Sequence, residues 1–425
     1  MTGSRSSMPD PSRLSKVLTY PLRLGAPGED WPSTRFGRVA LVNMLSSAGD
    51  TLVAVALAGS VFVSVPLHAA RGRTALGLAL TMLPFAVVTP FTGPATDRFG
   101  RGRSGMLALA AVARMAAALM MASWIHSVAL FPAAFLSLVA SKTHGVARSA
   151  LIPSAIDREV DLVKANSRLA VGSGAASVLT APVGAGIYAL FGSQTLLEVD
   201  AFLFALAASL VLILIRFPTG LPPGGSPGAD PRSPMPAPLL RAGLVVASSR
   251  AVTGFLTALV AFGFREQGAP ALWYGLAAAG GVAGNVIGAV LAPIVRRASP
   301  SEWWPVYGSA LVIAATAGSA TAVSWQDGRL AVTLVAVACG LAGSVAKTTF
   351  DSMVQVLVGE AGRARAFGRF EASFQAAWVL LALVPTLVAV TLTAGLITVA
   401  AVMPAAVVAA ATARQGGRVK PGRAG

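Results

Sequence analysis

Charge is what this sequence has least of: only 12% of its 425 residues are Asp, Glu, Lys or Arg. A soluble chain carries about twice that share, and a mean hydropathy of +0.71 lies well outside the soluble range. A single cysteine, Cys339, excludes a disulfide framework or a cysteine-based metal site within one chain. The three histidines, His68, His126 and His144, are scattered. No nucleophile and base constellation, zinc-ligand cluster or Gly-Lys-Ser/Thr phosphate loop can be found, so an enzyme or an ATP-driven pump has no support and no cofactor is implied. Acids are scarcer still than bases, 17 against 33, which leaves a formal charge of +16. In a soluble protein that excess would suggest nucleic acid, so the placement of the bases decides its meaning.

What is abundant is apolar sequence. A bilayer core of about 30 Å needs roughly 20 apolar residues per helix. The chain supplies such stretches at 39–64, 75–92, 104–125, 128–147, 168–191 and 196–216, then at 242–264, 271–294, 304–325, 329–346, 367–391 and 394–412. These predict an all-α membrane protein of twelve transmembrane helices. Residues 1–38 form an N-terminal tail, 39–216 a first six-helix bundle, 242–412 a second, and 413–425 a basic tail. Between the bundles, 217–241 is rich in Pro, Gly and Ser and reads as a flexible linker. Residues 1–36 lack a continuous apolar core, so the first span is expected to direct insertion. Leu14 to Leu24 reads either as a disordered tail or as a short surface-lying amphipathic piece. All but five of the 33 bases fall in the tails and alternate loops; Arg71, Arg73, Arg265 and Arg329 lie on the other side and Arg114 is mid-span. That asymmetry predicts cytoplasmic termini and linker, and it accounts for the basicity without nucleic acid.

Between the second and third spans the chain reads Gly93-Pro94-Ala95-Thr96-Asp97-Arg98-Phe99-Gly100-Arg101-Gly102-Arg103. Glycines let two helix ends approach, and the arginines hold the turn on the cytoplasmic side. The pattern G-x-x-x-D-R-x-G-R-x-R resembles the signature loop of the major facilitator superfamily, whose two pseudo-symmetric six-helix bundles match the span count. The resemblance implies transport by rocking the halves about a central site. It also implies that Asp97 closes the cytoplasmic gate, pairing with a base at the end of span four, for which Arg148 is the best candidate. The loop Arg148 to Arg168 can be laid on Thr349 to Arg369, matching Glu159 to Glu360, Lys164 to Arg365 and Arg168 to Arg369, as two related halves would. After span eight, Arg296-Arg297 survive but the acid does not.

Span five carries Gly172, Gly174, Ala181-Pro182, Gly184 and Gly186, similar to the glycine-proline motif of exporters in this superfamily but with Ala181 and Ala185 where that motif has glycine. Two readings stand: close packing of small residues, or a hinge at Pro182, Gly184 and Gly186. Gly280, Gly281, Gly284 and Gly288 on span eight read as packing.

A charge inside a span costs several kcal/mol and persists mainly when paired or functional. Asp50 and Arg114 both lie about 18 Å from the cytoplasmic edge at 1.5 Å per residue, which makes them candidate partners, with no other opposite charge expected at their depth. Read as a coupling site, the pair would separate during transport and leave Asp50 free to take up a proton; read as structure, it locks span one to span three. Arg250 either lines the cavity or snorkels to the surface, with snorkelling favoured. Glu198 and Asp200 are read as interfacial, and Lys142, Lys347, Asp351 and Glu371 as lying at the inner span ends, where gate salt bridges or simple anchoring would place them. Asn43, Asn285 and Gln375 are candidates for hydrogen bonds between helices.

Stretches from Asn43 to Asp50, from Arg148 to Asn166 and from Phe350 to Gly368 resemble the bacterial exporters of the enterobactin and macrolide type. That resemblance implies proton-coupled efflux of an amphipathic small molecule, such as a drug-like compound, siderophore or metabolite, across the plasma membrane of a bacterium. The partners expected are membrane lipids, the substrate and a proton, with no nucleic acid, and the protein is expected to be a monomer. Two alternatives belong to other classes: a lysophospholipid or lipid-handling transporter of the same fold, and a non-transporting membrane sensor, which a collapsed apolar centre would favour.

Overall fold

A computed structural model describes residues 35–57, 102–125, 127, 129–155, 162–216, 235–299, 301 and 303–412. All regular structure among them is helical. The helices are α1 (Arg35–Leu57), α2 (Gly102–Ser123), α3 (Leu130–Ala155), α4 (Leu162–Arg216), α5 (Ala237–Glu266), α6 (Ala271–Ala298), α7 (Trp304–Leu357), α8 (Glu360–Leu387) and α9 (Leu392–Thr412). Eight helical stretches among the described residues are long and apolar enough to cross a membrane. The expected second span, 75–92, lies outside the described residues.

Two of the helices are each two helical arms joined at an internal break. At 1.5 Å per residue, the 52 residues from Leu162 to Ile213 would extend about 78 Å, far beyond one bilayer core. The turn comes at Gly192, whose φ of 80° and ψ of 179° only glycine adopts readily. α7 breaks likewise at Asp327 (φ −147°, ψ 96°), whose carboxylate accepts the backbone N–H of Arg329 at 2.9 Å and of Leu330 at 3.2 Å. The aspartate thus caps the arm that follows.

In the first half, α1 and α2 pack on α4, and α2 also packs on α3. In the second, α6 packs on α7, α5 on α8, and α9 on α7 and α5. The halves meet through α4 against α6 and α7, and through α3 against α8 and α7. The closest approach in the second half is between α6 and α7. A methyl group at Gly284, Gly288 or Gly340 would strike the backbone of the facing helix, so these positions tolerate only hydrogen.

Several helix ends differ from the expected spans. α7 continues to Leu357, roughly three turns beyond the expected end of span ten, because nothing from Thr348 to Leu357 interrupts a helix before Gly359. α8 starts at Glu360 rather than 367, and α5 at Ala237, directly after Pro236 at its N-cap. Charges read as lying at span edges therefore sit well inside helices.

Candidate functional site

Between the halves lies a cavity of ≈ 760 Å³. Its wall combines apolar side chains, among them Leu169, Val246, Leu256, Val260 and Val282, with Ser, Thr and Asn285 and with five charged residues: Arg148, Arg250, Lys347, Asp351 and Glu371. The extended α7 and α8 put Lys347 about 15 Å and Glu371 about 16 Å from the nearer ends of their helices, and Arg250 is about 19 Å along α5. The three lie at similar depth. Lys347 Nζ donates to Asp351 Oδ1 at 2.6 Å and pairs with Glu371 Oε1 at 2.7 Å, while standing 5.9 Å from the Phe374 ring centroid. Phe374 in turn packs on Phe350 and Phe370 at centroid distances of 5.4 and 6.1 Å. The lysine is therefore a structural bridge between α7 and α8, beyond simple anchoring. Arg250 lines the cavity, not the lipid surface, and makes no hydrogen bond or ion pair among the described residues.

Towards the end where the basic residues cluster, hydrogen bonds cross between the halves. Asn166 on α4 donates to Gln355 Oε1 at 2.8 Å and to Ser352 Oγ at 3.0 Å, both on α7. Gln355 also donates to the backbone carbonyl of Ser149 on α3 at 3.0 Å, and Ser167 Oγ donates to the carbonyl of Ala289 on α6. Asn166, Ser167 and Gln355 are buried. Each of these bonds joins one half to the other, so together they form a polar latch.

Arg148 donates to Asn43 Oδ1 at 2.9 Å, and Asn43 donates to Ser173 Oγ on α4. This asparagine joins three helices of the first half. Gly93, Asp97, Arg98, Gly100 and Arg101 lie outside the described residues, and with them the expected pairing of Asp97 with Arg148; Arg103 falls in the first turn of α2. Pro182 is accommodated in α4, where Gly192 is the residue with non-helical geometry. A Cβ at Gly184 would meet Leu52 at 2.9 Å, whereas one at Gly186 meets nothing within 4 Å. Gly184 thus serves the contact between α4 and α1.

A second charged cluster sits inside the first half. Arg114 is almost wholly buried; it forms an ion pair with Asp50, donates to Ser46 Oγ, and lies 4.0 Å over the Phe204 ring. A third member is Asp200, completely buried, with both carboxylate oxygens lacking a hydrogen-bond partner among the described residues and with Arg114 in electrostatic reach. This corrects the interfacial reading of Asp200 and the expectation that the pair stands alone. The helix restarts right after Gly192, so Asp200 is eight residues, about 12 Å, from that turn. Arg114 is about 18 Å from the opposite end of α2, and the two depths together span the roughly 30 Å core. A turn assigned at Gly192 from sequence would have found this acid. Of the three, only Asp50 is open, its side chain 53% exposed.

The sequence model of the Major Facilitator Superfamily matches residues 39–382. The chain belongs to that family. It is 27% identical over 411 residues to an uncharacterized MFS-type transporter of Mycobacterium tuberculosis, covering 87% of this chain and 90% of that one. An uncharacterized protein of Mycobacterium leprae is 27% identical over 394 residues, 78% of this chain and 63% of its own length. The chain therefore spans just under two thirds of that relative. Among solved structures, a bacterial homologue of the iron transporter ferroportin in its outward-facing state superposes with a TM-score of 0.68 at 18% identity, over 89% of this chain and 98% of the other. The fold is that of the superfamily, and the chain is a multi-pass membrane protein of that family.

Proposed function

We propose that this chain is a twelve-span secondary transporter of a bacterial plasma membrane that exports an amphipathic small molecule by alternating access in exchange for protons. The observation that carries the reading is the ≈ 760 Å³ cavity between the halves, latched at one end by hydrogen bonds that cross between them. A space of that size, apolar with a few convergent polar groups, suits a drug-sized ligand. A centre with five charged residues on its wall argues against the sensor alternative, which calls for a collapsed apolar interior. The basic residues gathered at the latched end support a cytoplasmic placement of that end, and with it an outward-facing state. Asp50 and Arg114 are the proposed coupling pair, with Asp200 as the acid that holds Arg114 in place when Asp50 lets go.

Everted vesicles with and without the protein, loaded with a panel of amphipathic compounds, test this. Accumulation that depends on the protein and on an imposed pH difference is the expected result. Accumulation unaffected by the pH difference removes the proton from the proposal, and none for any compound removes export.

A further inference from the structure

Among the charges on the cavity wall, both acids are engaged by Lys347, and neither guanidinium, Arg148 or Arg250, is in an ion pair among the described residues. Lys347 bridges both Asp351 and Glu371, and Arg148 is buried, donating to Asn43 while its Nε finds no partner among the described residues; Arg250 stands exposed to the cavity, with Glu371 in electrostatic reach but no ion pair or hydrogen bond among the described residues. Lys142 on α3 lies in electrostatic reach of both Arg250 and Glu371 and adds a further positive charge to this floor. Three bases against two acids line the space. A guanidinium facing a membrane-embedded cavity is held at a cost that a bound anion would relieve. Beyond it along α5 the wall carries Leu256 and Val260 beside Thr253 and Thr257, and on α6 it carries Ala277 and Val282 with Asn285. A cavity of ≈ 760 Å³ is far larger than any inorganic anion requires.

We propose that the transported molecule is an amphipathic organic anion of the carboxylate class, its charged head held by Arg250 and its apolar body lying along Leu256, Val260 and Val282. Planar guanidinium recognises a carboxylate through two parallel N–H donors, which a lysine at the same position cannot reproduce. The proposal deepens the exporter reading and rests on it.

The test uses the full chain in lipid nanodiscs and three matched fluorescent probes: 1-pyrenebutyrate, its neutral amide, and 1-pyrenebutylamine. Fluorescence anisotropy, corrected with empty nanodiscs, should give the carboxylate about tenfold tighter binding than the amide, with the amine weakest. Arg250→Gln should bring the carboxylate down to the affinity of the amide while leaving thermal unfolding unchanged; Arg250→Lys should recover only part of the preference. Equal binding of carboxylate and amide, a preference for the amine, or a preference that survives Arg250→Gln overturns the proposal. The same probes in everted vesicles separate the two readings. If the amide or amine binds and is carried while the carboxylate is not, export stands and the anion site falls; if the carboxylate binds through Arg250 but nothing is carried, the site stands and export falls. Binding of none of the three overturns the anion site, and the vesicle panel then judges export on its own.

Discussion

Within the Asp50, Arg114 and Asp200 cluster of the first half, Arg114 and Asp200 are sealed by the helical packing and only Asp50 reaches outward, whereas in the second half Arg250, Lys347, Asp351 and Glu371 stand on or beside the cavity wall. The two clusters lie at comparable depth, so depth alone does not set their roles. Access does. A sealed charge depends on its protein partners for all of its stabilisation, while a charge on a cavity can borrow water, substrate or a changed partner. The first half therefore resembles a lock with one movable member, and the second a surface that can meet cargo.

The largest expected effect tests that contrast directly. Arg114→Ala strands the sealed Asp200 in low dielectric and takes the partner from Asp50, and should cost about 3–5 kcal/mol, enough to lose most folded protein. Lys347→Ala also leaves two acids without their base, but beside a cavity that admits water, and should cost less than half as much. Thermal unfolding of the purified variants in detergent compares them; equal losses would break the distinction between sealed and open charge.

Next in size is a packing comparison. Gly288→Val drives a side chain into the backbone of α7 and should destabilise by about 1–3 kcal/mol. Gly186→Val, at a position where a Cβ meets nothing within 4 Å, should stay within about 0.5 kcal/mol of the parent. A large loss at Gly186 would restore the hinge reading of span five.

Smaller again is the latch. Each buried hydrogen bond contributes about 0.5–1.5 kcal/mol, so Asn166→Ala with Gln355→Ala should shift the balance of open and closed states by about tenfold or more without unfolding. A cysteine placed at Ala170 on the cavity wall should then react faster with an impermeant maleimide applied from the basic side. An unchanged rate would mean that the latch is not what closes this end.

The architecture was legible because membrane helices announce themselves by length and apolarity, and the bases by their placement. The pairing of Asp50 with Arg114 could be inferred from equal depth alone. What escaped was everything that hung on helix ends. Polar residues such as Thr348, Asp351 and Gln355 look like a loop beside an apolar span, yet they continue α7 as a helix, because burial against the other half stabilises them there. Asp200 escaped for the same reason at the other face, since a tight turn at Gly192 leaves no room for an interfacial segment. The contacts between halves, Asn166 with Gln355 above all, join residues too distant in sequence for any local pattern to mark.

The smallest effect on stability carries the most about mechanism. Asp50→Asn removes the exposed member of the first cluster, and Asp200 remains to neutralise Arg114, so the protein should fold with little loss. If Asp50 carries the proton, pH-driven transport should nonetheless disappear while substrate binding persists. If the pair merely ties α1 to α2, transport should survive in proportion to the folded protein. Asp200→Asn supplies the contrast: it leaves the accessible acid in place and removes the sealed one, and should weaken folding more than coupling. Asp50→Asn combined with Arg114→Gln closes the comparison, because it removes the buried cation together with its open partner and should fold better than Arg114→Ala. Should that double variant still move substrate against its gradient with a pH difference alone, the proton enters elsewhere, and Glu371 on the cavity wall becomes the acid to replace next.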